Sequence, residues 1–329
     1  MRIEPKKIMC ALDFSDFSHL ILSYGKTLAR EFDAKLYICN IVSDMVMLSS
    51  HGQAYIASDA IAGERLENAQ TLLENLAKEH GIEAEIIVSP GHPADDITRI
   101  AREKSIDLVI AATHGGSGIK RFLIGSVTDR LVKTIDSPLL VLCAQKDQVS
   151  FKDNLNVSIK RILVGCDFSP GSELAFTYAL SLAQEFQGEL HLVHVIKPEK
   201  HIEMTTSNYM KIQGGDYLGW NRSDFLDLQK NAAEEEWERR KSLSARFERQ
   251  LSQMVPEESR SWCDPKITLL EGEPYTELIK YAEQKEIDMI VLGIHGRSFL
   301  EKFLVGSTTD RVISRGSCPV LAVRSIPEH

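Results

Sequence analysis

The chain has 329 residues, too many for one ordinary hydrophobic core and the right number for two domains of about 150 residues. Its 43% hydrophobic and 26% charged content is that of a globular protein in water, and a formal net charge of -9 excludes a generic nucleic-acid binder, which needs a basic stripe. No apolar run approaches the roughly 20 residues of a bilayer-spanning helix. The N-terminal "MRIEPKKIMCALDF" lacks the apolar centre of a secretory signal, so the expected location is cytoplasmic.

In chain order, "IMCAL" (8–12) is an apolar run of strand length, and Ile21, Tyr24, Leu28 and Phe32 then recur at helical spacing. "KLYICNIV" (35–42) is a second strand. Leu66, Ala69, Leu73 and Leu76 stripe a second helix that stops at Gly81. "EIIV" (85–88), a helix near 94–104, "DLVIAA" (107–112), a helix from about 126 and "LLVLC" (139–143) complete a β-α-β-α-β-α-β-α-β unit. The unit then repeats, from "RILVG" (161–165) to "VLAVR" (320–324). Continuous apolar strands alternating with amphipathic helices imply a parallel sheet covered on both faces. The expected layout is a first domain over 1–145, a linker over 146–158 and a second domain over 159–329.

The repeat is legible residue by residue. "LDFS" (12–15) matches "CDFS" (166–169) and "LYICNIV" (36–42) matches "LHLVHVI" (190–196), both at an offset of 154. "GHPADDI" (91–97) matches "GEPYTEL" (272–278) and "FLIGSVTDR" (122–130) matches "FLVGSTTDR" (303–311), at an offset of 181. The second copy therefore carries 27 extra residues between its second strand and the "GEP" loop. A repeat this long is a duplicated domain rather than a solenoid module.

Inside each copy one stretch is punctuated by glycine. "ATHGGSGIKRFLIGS" (112–126) and "GIHGRSFLEKFLVGS" (293–307) both place nine residues between a glycine and a Gly-Ser pair: Gly115 and Gly125-Ser126, Gly296 and Gly306-Ser307. Crossovers of one hand put the ends of strands 1 and 4 on either side of a switch point, where open α/β sheets bind ligands. Asp13 and Asp167 end strand 1, and the glycine loops follow strand 4. Glycines admit close backbone approach, and a Gly-Ser pair opening a helix offers free N–H groups and a hydroxyl to an anion. Arg297 and Lys302, or Lys120 and Arg121 in copy 1, add positive charge.

The pattern G-x-x-G, nine residues, G-S, with "DFS" after strand 1 and a "G-x-P" loop before helix 3, resembles the nucleotide motif of the universal stress protein family, in tandem. The resemblance implies a five-stranded parallel sheet of order 3-2-1-4-5 in each of two open-sheet domains, with helices on both faces. It implies an internal pseudo-dimer paired through the last strands, and binding of ATP or another adenine nucleotide, with Mg²⁺. On the phosphate side it points to Gly293, Gly296, Gly306 and Ser307, with His295, Arg297, Ser298 and Thr308 beside them. It places Asp167 on the nucleoside side and Val195 against adenine. In copy 1 the matching residues are Asp13, Ile41, Gly115, Gly125, Ser126 and Val127. Ala112 departs from the motif, standing where the first glycine belongs, so copy 2 is the expected stronger site.

Other features take ordinary readings. The six cysteines form no C-x-x-C pair and are expected as reduced core residues. His191 and His194 are three apart in a strand, face opposite ways and make no metal pair. His114 and His295 have no local nucleophile or carboxylate partner, so each is expected to shape the loop rather than act as a base. No P-loop is present. The leading expectation is a regulatory nucleotide binder of the stress response without dedicated catalytic chemistry. A slow ATPase or other nucleotide-using enzyme, and a ligand-free scaffold, are the alternatives. The insertion contains Tyr209, Tyr217 and Trp220 and leads into a long helix over about 223–254, with an apolar stripe of Leu243, Phe247, Leu251 and Met254. That helix is a solvated extension, a lid, or a docking element for a protein partner.

Overall fold

The computed structural model describes residues 2–43, 46–48, 54–56, 59–113, 124–143, 157–198, 222–261, 263, 265–294 and 305–324. Copy 1 contains β1 (Lys7–Ala11), α1 (Phe17–Phe32), β2 (Lys35–Ser43), a short hairpin of β3 (Val46–Leu48) and β4 (Ala54–Ile56), α2 (Asp59–Glu79), β5 (Glu85–Gly91), α3 (Pro93–Glu103), β6 (Leu108–Ala112), α4 (Ser126–Thr134) and β7 (Leu139–Leu142). Copy 2 contains β8 (Arg161–Gly165), α5 (Pro170–Phe186), β9 (Glu189–Ile196), α6 (Arg222–Met254), β10 (Lys266–Glu271), α7 (Pro274–Gln284), β11 (Met289–Gly293), α8 (Ser307–Arg315) and β12 (Val320–Val323). The β3–β4 hairpin was not expected from the sequence. The linker stretch 144–156 and the insertion loop 199–221 lie outside the described residues.

Each copy carries its strands in the order 3-2-1-4-5, and the two halves form one ten-stranded sheet, β10-β9-β8-β11-β12-β7-β6-β1-β2-β5. All pairings are parallel except the central one. There β12 runs antiparallel to β7, with Val320 opposite Val141, Leu321 opposite Leu140 and Ala322 opposite Leu139. Pairing the last strands removes two apolar edges that would otherwise template aggregation.

The sheet is buried on both sides because the middle of each strand is mostly apolar on both faces, with the charged residues at the strand ends. In β1, Ile8 and Cys10 face the core under α1, α2, α5 and α6, while Met9 faces the core under α3, α4, α7 and α8. All six cysteines are free and buried. Phe32 and Phe186, which occupy the same position in the two copies, meet edge to face with centroids 6.5 Å apart. A residue meeting its own counterpart is the signature of a two-fold contact.

The interface also has an asymmetric tie. Arg324, just past β12, donates to the carbonyls of Val132 (2.9 Å), Lys133 (3.0 Å) and Ile135 (3.2 Å), closing the C-terminal end of α4 in the other copy. A helix leaves its last carbonyls unsatisfied and negative, so a guanidinium there is stabilising. The corresponding position in copy 1 is Cys143, whose thiol reaches only the Ile313 carbonyl at 3.7 Å. Arg324→Met is expected to cost about 1–3 kcal/mol by stranding those carbonyls, read as a lower urea midpoint with an unchanged slope.

Candidate functional site

The functional site is built where the strands end. β8 delivers Asp167 into a tight turn: Asp167 Oδ1 accepts from the Ser169 backbone N–H (3.0 Å) and hydroxyl (2.5 Å). Phe168 between them has φ 61°, left-handed backbone that a bulky aromatic rarely adopts. The turn runs into α5, where Ser169 and Ser172 form a reciprocal capping box and Pro170 opens the helix. Copy 1 repeats the turn, with Asp13 Oδ1 accepting from Ser15 at 3.0 and 2.5 Å and Phe14 at φ 60°. Its helix entry is weaker. Asp16 makes no side-chain cap, and the buried hydroxyl of Ser18, the counterpart of Ser172, has no hydrogen-bond partner.

The end of strand 4 is tied to the next helix in the same way in both copies. Gly306 N–H donates to the Ile294 carbonyl (2.7 Å) and Thr309 Oγ1 to the Gly293 carbonyl (2.7 Å). In copy 1, Gly125 donates to Thr113 (2.6 Å) and Thr128 to Ala112 (2.5 Å). Thr128 and Thr309 belong to the "TDR" shared by the two copies, a signal that sequence reasoning noticed without assigning a role. The helices α4 and α8 therefore start with their N-termini aimed at the strand ends. Neither Gly125 nor Gly306 caps its helix with a side chain, and the first-turn N–H groups beyond them have no acceptor within the helix.

The glycines serve packing more than backbone freedom. Gly306 has φ −58° and Gly125 φ −60°, both ordinary. At Gly293 a Cβ would stand 2.6 Å from the carbonyl carbon of Gly171, so this glycine admits the start of α5 rather than a ligand. Ala112 fills the same place in copy 1. A real conformational demand falls instead on the G-x-P loop, where Gly272 has φ 147°.

In copy 2 these elements enclose a cavity of about 530 Å³. Asp167, Val195, Gly293, Gly306, Ser307 and Thr308, all singled out in the sequence, line it together. Sequence reasoning missed Ser169, Ser172, His194, Lys197, Pro274 and Thr309, which line it as well. Lys197 follows β9 in no motif, and His194 drew attention only as one of two strand histidines that make no metal pair. His194 and His191 do face opposite ways: His194 Nδ1–H donates to the Cys166 carbonyl (2.6 Å), while His191 bonds Tyr281 of α7 (2.9 Å). Cys166 is also among the lining residues, but burial, reinforced by the Asp167 charge, pushes its thiol pKa up to about 12. A thiol held neutral in this way is no nucleophile.

The helix α6 reaches the cavity too, through Leu243 and Phe247. Further along, Leu251 is fully buried and Met254 packs on the same core. The apolar stripe expected from the sequence therefore anchors the helix at its C-terminal end and roofs the cavity at its middle. In copy 1, Asp13, Ile41, Ala112, Gly125, Ser126 and Val127 occupy the equivalent strand ends and helix start. Phe14 and Val127 are both 37% exposed there. Gly115, His295, Gly296, Arg297 and Ser298, with His114 and the loop cations, lie outside the described residues. Among the described residues no group of three His, Cys, Asp or Glu is placed to hold a metal, and no helix is long and apolar enough to cross a membrane.

The family model described as "Universal stress protein family" matches residues 4–142, 158–214 and 220–324. The chain belongs to the universal stress protein family. A universal stress protein of Mycolicibacterium smegmatis is 24% identical over 332 residues, covering 96% of both chains, so that relative matches the tandem arrangement end to end. A universal stress protein of Methanocaldococcus jannaschii is 32% identical over 145 residues, 44% of this chain and 85% of its own. Among solved structures, a universal stress protein from Archaeoglobus fulgidus superposes with a TM-score of 0.65 at 20% identity, covering 98% of this chain and 99% of the other, which shows the shared fold.

Proposed function

We propose that this universal stress protein binds an adenine nucleotide, ATP with Mg²⁺, in the copy 2 cavity and acts as a regulatory binder of the cytoplasmic stress response rather than as an enzyme. The observation that carries the reading is the polarity of the cavity. Its lining combines Gly306, Ser307 and Thr308, at the first turn of α8 where backbone N–H groups lack helix partners, with the acidic Asp167 and the apolar Val195. Helix N-termini favour anions, carboxylates suit ribose hydroxyls, and about 530 Å³ falls in the usual range for a small-molecule site. Mg²⁺ enters as the counter-ion of the phosphates.

Contacts of this kind hold ground state and transition state alike, and uniform binding does not raise a chemical rate. The buried, neutral Cys166 adds no nucleophile. Copy 2 is proposed as the stronger site, because its Asp167 turn is locked by the capping box that the Asp13 turn lacks.

The experiment is calorimetry with Mg-ATP, followed by single-turnover hydrolysis of labelled ATP. Binding is expected, with a larger loss for Gly306→Val than for Gly125→Val and hydrolysis far below one per second, the low end of ordinary enzymes. A rate near one per second that collapses in His295→Ala would make the protein an ATPase. Absence of any nucleotide binding would favour the scaffold reading.

A further inference from the structure

Three aromatic rings from three elements pack together beside the copy 2 cavity, which His194 and Phe247 line. Phe168 and Phe247 lie nearly parallel, with centroids 5.6 Å apart and 10° between planes. His194 sits 4.9 Å from Phe168 and 4.3 Å from Phe247, its orientation fixed by the bond to Cys166. Phe247 and Leu243, one turn earlier on α6, are half-buried and face the same cavity as Asp167 and the start of α8.

Copy 1 does not repeat this arrangement. At the positions related by the same two offsets stand Phe14, Asn40 and Leu66. Asn40 donates to the Leu12 carbonyl (2.9 Å) much as His194 bonds Cys166, but Phe14 is 37% exposed. The difference lies in the residues themselves: Leu66, inside α2, stands where α6 has Phe247, and Asn40 where β9 has His194. Side chains that only filled a core would be sealed by their neighbours. His194 and Phe247 instead line a cavity that Ser307 and Thr308, at the start of α8, line as well.

We propose that Phe247, backed by Leu243, is a ligand-contacting residue of the copy 2 site, stacking on the flat base of the bound nucleotide while α8 holds its phosphates. The proposal rests on the nucleotide reading. It assigns α6 as part of the binding site and makes the two copies differ in base recognition rather than in grip on polyphosphate. An aromatic face accepts a base edgewise or face-on with a gain large enough to measure.

The test compares Mg-ATP with Mg-tripolyphosphate, which has the phosphates and no base, on the full chain and on Phe247→Leu. Leucine keeps apolar bulk on the helix and copies Leu66. Phe247→Leu is expected to weaken ATP about tenfold and leave tripolyphosphate unchanged. A second variant, Phe247→Trp, is expected to keep ATP affinity and to gain tryptophan fluorescence that ATP quenches and tripolyphosphate does not. If Phe247→Leu binds ATP like the parent, or loses both ligands equally, Phe247 is a packing residue and the proposal fails. If the parent protein binds tripolyphosphate but not ATP, or neither, the nucleotide reading itself has failed, and that result is distinct.

Discussion

Gly293→Ala is expected to destabilise copy 2 by about 2–3 kcal/mol and to remove most nucleotide binding there, although it adds a single methyl group. The added Cβ would lie 2.6 Å from the carbonyl carbon of Gly171, 2.7 Å from its oxygen and 3.0 Å from its Cα. All three are backbone, so no side chain can rotate away. Relief requires moving the start of α5, and that start carries the Ser169–Ser172 capping box that holds Asp167. The strain therefore reaches both fold and site. The measurements are the urea unfolding midpoint and ATP calorimetry on the same variant. The reverse change, Ala112→Gly, is expected to cost at most about 1 kcal/mol, the ordinary penalty for glycine in a regular element. Parent-like stability in Gly293→Ala would mean that α5 does not approach the strand as described.

These two positions show what the sequence could and could not disclose. The repeat, its two offsets and the apolar strands disclosed two parallel sheets covered on both faces, and crossovers of one hand put the ends of strands 1 and 4 side by side, while the full strand order came with the family resemblance. Asp167, Gly306 and Ser307 were readable because backbone at strand ends and helix starts obeys local rules, whereas Val195 came only with the family resemblance. The reason for Gly293 was not readable. It lies in Gly171, 122 positions earlier in the chain, and no local pattern reports such a contact. Lys197 and the roof formed by Phe247 escaped a site assignment for the same reason: α6 could be recognised as an amphipathic helix, but the element it covers is set by packing. Thr309 and Thr128 were visible as a repeated residue whose partner, the strand-end carbonyl, is a tertiary fact.

Leu321→Asp is expected to have the larger effect on the whole molecule. Leu321 is 4% exposed in the strand that joins the two halves, opposite Leu140 at 1%. Both side chains face the core shared with α1 and α5. An aspartate there must either bury a charge with no partner or take up a proton, and either path costs on the order of 4 kcal/mol. The loss falls on the antiparallel β7–β12 pairing, which is the only strand ladder between the copies in the described sheet. Native stability of roughly 5–15 kcal/mol leaves little reserve against such a loss. Each half would then expose an apolar edge strand, and association through those edges is the expected consequence. Solution scattering should show either an extended two-body particle or concentration-dependent aggregates in place of one compact body. Leu321→Ala serves as the graded control: it removes packing without adding charge and should cost about 2–5 kcal/mol while keeping the halves joined. Acid should partly rescue Leu321→Asp, since protonation removes the buried charge, whereas Leu321→Ala should show no such recovery. A Leu321→Asp variant that stays compact at neutral pH with parent-like stability would show that the central ladder does not hold the two copies together.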